Sequence, residues 1–96
     1  MSLYELIRAK GDVIRRIAER HGARNVRVFG SAARGDAGPE SDVDLLVEAG
    51  PTTSAWFPGG LVADLEAELG RRVDIVTERG LLPELRERVL REAVPV

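Results

Sequence analysis

Residues 41–49, SDVDLLVEA, alternate so regularly that they dictate a strand: Val43, Leu45 and Val47 fall on one face, and Asp42, Asp44, Leu46 and Glu48 on the other. A strand of this kind packs its apolar face and leaves water access at the end that carries the two aspartates. NVRVF at 25–29 and RVDIVT at 72–77 read as two further strands. Leu3, Leu6, Ile7, Ile14, Ile17 and Ala18 recur at helical spacing opposite Arg15, Arg16, Glu19 and Arg20, which predicts one amphipathic helix stopped by Gly22. Leu61, Leu65 and Leu69 before Gly70 predict a second helix. Leu82, Leu85, Val89 and Ala93 predict a last one over 82–94, with Pro83 in its first turn. Gly30-Ser31 opens the segment AARGDAGPES, a loop or a single helical turn, and GPTTSAWFPGG forms a second loop. The order of elements implies an α/β (α+β) fold in two layers, with a short mixed sheet of about three strands and helices on one face. The aspartates point to the other face.

A chain of 96 residues is long enough for one domain spanning 1–96. At 44% hydrophobic and 31% charged it is globular rather than disordered. A formal charge of -2 argues against broad phosphate neutralisation, so no strong nucleic-acid binding is expected. Any polyanion has to be met locally. The absence of cysteine excludes disulfides and thiolate metal sites, and a single histidine excludes a histidine-built zinc site. Hard cations with oxygen ligands remain. MSLYELIRAKGDVIRR carries charge throughout, and no apolar run approaches membrane length, so a cytoplasmic location with no membrane contact is expected.

The chemistry is carried by carboxylates. Asp42 and Asp44, at i and i+2, share a strand face, and Asp74 lies opposite Val73 and Ile75, so strand pairing could bring it beside them. Three negative charges in one patch disfavour one another, and a divalent cation relieves them. Mg²⁺ suits such a site because it is typically held by one or two carboxylates plus substrate phosphates. Gly30 lets backbone come close to a phosphate, and the Ser31 hydroxyl and amide can donate to it. If Ser31 caps a turn made by 32–34, the helix dipole helps as well. Arg34 is the one cation in this turn, and it either neutralises a triphosphate or lies solvated. An Asp-x-Asp alone often marks only a strand end. Joined to Gly-Ser and Asp74, it points to phosphoryl or nucleotidyl transfer with two metal ions. In that scheme Asp44 and Asp74 hold the ion near the nucleophile, one of them takes its proton, and Asp42 with Asp44 holds the nucleotide-bound ion.

These residues, FGS, then ten residues, DVDL, and later RVDIV, resemble the polymerase-beta-like nucleotidyltransferase superfamily, and in particular its minimal nucleotidyltransferases, the MNT antitoxin family. The likeness spans nearly the whole chain and includes the Arg34-Gly35 pair, Leu69-Gly70 and the closing Arg91-Glu92-Ala93-Val94. It implies an α/β palm, Mg²⁺-dependent use of ATP, and transfer of AMP to a protein hydroxyl. The acceptor implied is a tyrosine of a cognate HEPN-domain ribonuclease toxin, usually encoded next door. Catalytic and metal roles fall on Asp42, Asp44 and Asp74, and nucleotide contacts on Gly30, Ser31 and Arg34.

Two classes of function follow. One is an ATP-dependent protein adenylyltransferase acting as an antitoxin, and the other a catalytically silent module that neutralises its partner by covering it. Transfer to an RNA end is a weaker third, disfavoured by the acidic charge. Assembly with itself or with the partner is open. Trp56 and Phe57, in the second loop, either stack on adenine, dock a partner or fill the core. His21 is expected only to decorate the end of the first helix.

Overall fold

The computed structural model describes residues 2–96. Where one amphipathic helix is expected at the N-terminus, there are two: α1 (Leu3–Ala9) and α2 (Gly11–Arg20), broken at Lys10. Ser2 and Glu5 close a capping box on α1, which satisfies two orphan amides reciprocally. A Cβ on Gly11 would lie 3.2 Å from the backbone carbon of Val96, so the chain end packs directly on the start of α2.

β1 (Ala23–Phe29) starts two residues before the run NVRVF because it carries an irregularity between Arg24 and Arg27, where Asn25 adopts φ 51. The five-residue α3 (Gly30–Arg34) follows, then β2 (Val43–Ala49), α4 (Gly59–Leu69), β3 (Val73–Thr77), a 3-10 turn (Glu78–Gly80), α5 (Pro83–Glu92) and β4 (Val94–Pro95). The sheet has four strands in the order β3-β2-β1-β4, with β2 and β3 parallel and the β1 pairings antiparallel. The fourth strand replaces the end of the expected last helix. Helical spacing runs on to Ala93, but Val94 precedes a proline, and the proline ring pushes its predecessor into extended backbone.

Ile7, Ile14, Ile17, Leu61 and Leu65 pack with Val28, Val43, Leu45 and Val47 into one core, so α1, α2 and α4 cover one face of the sheet as expected. The alternation in β2 holds, with one exception. Leu46 points to the opposite face yet is fully buried. Its partner on β1 is Arg27, only 12% exposed and paired to Glu78 at 2.7 Å, so the turn after β3 folds over this part of the second face. The two ends of this face stay open, one at Arg24 and Glu48 and the other at the aspartates. α5 buries no residue, and its Leu85 and Leu90, with Leu82 just ahead of it, are exposed. Among the described residues no helix is long and apolar enough to cross a membrane.

Candidate active site

Asp44 and Asp74 are direct partners in the parallel β2–β3 register, as Val43 and Val73 are on the core side, so pairing delivers both carboxylates side by side to the open face. Asp42 lies just ahead of β2, where Val43 N–H donates to Arg72 C=O at 2.8 Å and ties the two strand entries together. Its carboxylate is engaged by Arg72 Nε at 3.2 Å. Burial pushes the Asp44 carboxyl above its ordinary range, and the charges of Asp74 and Asp42 push it further, against a smaller opposing effect of Arg34. Among the described residues no three His, Cys, Asp or Glu side chains are drawn into a ready-made metal cage. The donor set nonetheless fits a hard cation: Asp42, Asp44 and Asp74 offer oxygen only, and Asp44 is partly desolvated with the charges of the other two outweighing that of Arg34.

Gly30 has a sharper reason to be glycine than an approach to phosphate. Its φ is +73, and a Cβ on it would penetrate Asp44 Oδ2, with Cγ at 3.3 Å. Phe29, the partner of Asp44 across β1–β2, ends the strand, and the chain must turn over the carboxylate at once. Ser31 does not cap a helix. α3 begins at Gly30 with Phe29 in the cap position, so Ser31 sits inside the first turn, and five residues give too short a helix for its dipole to count.

Gly30, Ser31, Arg34 and Asp44 form one wall of a cleft of about 320 Å³. The opposite wall belongs to α5, through Leu85, Arg88, Val89 and Glu92. Arg34 is half-exposed at the cleft; its Nε donates to Asp36 at 3.2 Å and its Nη1 to Glu92 at 2.9 Å. Burial alone would raise the Glu92 carboxyl. The hydrogen bond from Arg88 and the charge and hydrogen bond of Arg34, with the Gly30 N–H, outweigh it and hold this carboxyl below the usual range. Nothing in the local sequence gives Arg72 or Arg88 a role, and Glu92 enters only within the family pattern. Arg88 and Glu92 carry a weak signal at i and i+4, whereas Arg34 and Glu92 are 58 residues apart and have none.

Trp56 and Phe57 part company. Phe57 packs against the core, while Trp56 is 91% exposed with φ 63. Their loop follows Ala49 and is tied back by Gly50 N–H to Gly22 C=O at 2.8 Å. It therefore leaves the sheet at the end opposite Asp44, roughly 16 Å along β2 at about 3.3 Å per residue, out of reach of a base held at Gly30 and Ser31. His21 does more than end α2: its ring nitrogens bond Ser54 and Asp64, both at 2.7 Å, and fasten this loop to α4.

The nucleotidyltransferase domain family matches residues 11–96. The protein adenylyltransferase MntA of Thermococcus cleftensis is 44% identical over 80 residues, 83% of this chain and 81% of that one. A solved structure whose assignment as a minimal nucleotidyltransferase is provisional superposes over 100% of this chain and 97% of its own, with a TM-score of 0.86 and 51% identity. A toxin–antitoxin structure with AMP-PNP aligns to 94% of this chain and 65% of its own at TM-score 0.65 and 23% identity, a likeness of fold. With the four-stranded sheet, the paired aspartates of β2 and β3 and the glycine turn above them, the chain belongs to the nucleotidyltransferase domain family, among its minimal nucleotidyltransferases.

Proposed function

We propose that residues 1–96 act as one nucleotidyltransferase domain that moves AMP from ATP to a hydroxyl of a partner protein, and that the partner is a toxin. The observation that carries this reading is the side-by-side register of Asp44 and Asp74, with Asp44 beneath Gly30 in the wall of a cleft lined by Ser31 and Arg34. The name of the Thermococcus relative supports adenylyl transfer to protein, and the toxin–antitoxin neighbour with its ATP analogue supports both the nucleotide and the partner. The family resemblance narrows the acceptor to a tyrosine of a HEPN-domain toxin, inside the cell.

In this reaction the acceptor oxygen attacks the α-phosphorus, the bond to the bridging oxygen breaks, and pyrophosphate leaves. Mg²⁺ held by Asp42, Asp44 and Asp74 would make the attacking oxygen more acidic and neutralise the leaving charge. Asp44 or Asp74, the pair beside the attacking oxygen, accepts the hydroxyl proton. Ser31 and Arg34 grip the phosphates, and Gly30 keeps Asp44 in place from above.

Incubation with labelled ATP, Mg²⁺ and the product of the neighbouring gene should label that product, and D42A/D44A should lower labelling by at least about 10²-fold. Labelling that survives the double substitution contradicts the assignment. The exposed leucines of α5 favour a second reading, in which covering the toxin suffices. On that reading D42A/D44A still protects cells; loss of protection with the complex intact excludes it.

A further inference from the structure

Two arginines border the cleft, and one carboxylate holds them both. Glu92 Oε1 accepts from Arg34 Nη1 at 2.9 Å, and Glu92 Oε2 accepts from Arg88 Nε at 3.3 Å. The Glu92 side chain is 22% exposed, against 43% for Arg34 and 67% for Arg88, so the anion lies deeper in the cleft wall than the cations it bridges. A carboxylate that spans two guanidinium groups takes up the same donors that a pair of phosphate oxygens would use.

We propose that Glu92 is a built-in competitor for the nucleotide's phosphates, holding Arg34 and Arg88 at the cleft and yielding both to a bound triphosphate. This rests on the reading in which Arg34 meets the phosphates, and it adds Arg88 to them. The exchange is within reach energetically. Ion pairs at this exposure each shift an equilibrium only about 1.5- to fivefold, and a triphosphate brings more charge than one carboxylate. The exchange is also within reach structurally, because α5 buries none of its side chains and Glu92 is its last residue. A competing anion of this kind makes the site insensitive to lone phosphate groups and reserves both arginines for a ligand with several of them.

The test is the affinity of the full chain for MgATP, read by calorimetry without any acceptor. Glu92→Gln keeps the shape and removes the charge, and should tighten MgATP binding about three- to tenfold, more at low salt than at high. Glu92→Asp, which keeps the charge but shortens the reach, should tighten it less and serves if the glutamine variant folds poorly. Arg88→Gln should weaken wild-type binding severalfold and remove most of the gain when combined with Glu92→Gln. If Glu92 only clamps α5 to α3, both Glu92 variants will melt earlier and bind MgATP no better or worse than wild type, which overturns the inference. A wild-type chain that binds no MgATP at all overturns the nucleotide reading itself, whereas unchanged MgATP affinity in the three single variants overturns the roles of Glu92 and Arg88 and leaves that reading standing.

Discussion

Gly30→Ala is expected to lose nucleotidyl transfer by about 10²-fold and to melt roughly 5–15 °C lower than the wild-type chain. Two separate effects combine. The φ of +73 at this residue costs an alanine about 1–2 kcal/mol of backbone strain. The new Cβ also has to displace the Asp44 carboxylate, because its nearest neighbours are Asp44 Oδ2, Cγ and Cβ. A reacting group moved by about an ångström loses on the order of 10²-fold in rate. Gly70→Ala separates the two contributions: its φ is +66 and nothing lies within 4 Å of the added Cβ, so it should lower the melting temperature by a similar amount and leave transfer at the wild-type rate. Thermal melts and single-turnover labelling on both variants check this. Equal activity in Gly30→Ala and Gly70→Ala would mean that Asp44 is not a reacting group.

Asp44→Asn is expected to cut transfer by about 10²–10⁴-fold while making the metal-free chain more stable at neutral pH. The Asp44 carboxyl is raised above its usual value of 3.8 by burial first, then by the charges of Asp74 and Asp42. The folded state therefore holds this proton more tightly than the unfolded chain does. The stability that the group contributes is complete below about 3.8 and is lost as pH rises through the raised value, so at neutral pH the ionised carboxylate is a liability. Asparagine removes that liability. In chelator, the variant should melt above wild type at pH 7, and the gap should close as the pH falls below the ordinary carboxylate range. Added Mg²⁺ should stabilise wild type and leave the variant almost unmoved. Calorimetric melts across pH, with and without the ion, decide it; a variant that is less stable at pH 7 in chelator and responds to Mg²⁺ like wild type would show that Asp44 is a structural residue.

The parts of this arrangement that depend on local alternation are legible in the chain itself. Val43, Leu45 and Val47 against Asp42 and Asp44 reveal both the strand and its two faces, and Val73 and Ile75 reveal the side that Asp74 takes. Gly30 is legible as a point of close approach, but that the approaching group is Asp44 emerges only when β1 lies beside β2. The break at Lys10 escapes a reading by periodicity, because Ile7 and Ile14 keep helical phase across it. The fourth strand had a usable signal in Val94-Pro95, outweighed by the helical spacing before it. The bridge from Arg34 to Glu92 and the grip of Arg72 on Asp42 join separate elements through long side chains, and no spacing rule reports such pairs.

The proposed function stands or falls with one patch, in which Asp44 and Asp74, joined by Asp42, hold a metal ion facing a nucleotide's phosphates. Crystals grown with Mn²⁺ in place of Mg²⁺ and a non-hydrolysable ATP analogue test it directly through the anomalous signal of the metal. The expected result is a peak at the carboxylates of Asp44 and Asp74 with Asp42 beside it, and the phosphates lying along Ser31 and Arg34. A peak elsewhere, with the analogue bound and these three carboxylates bare, would contradict it.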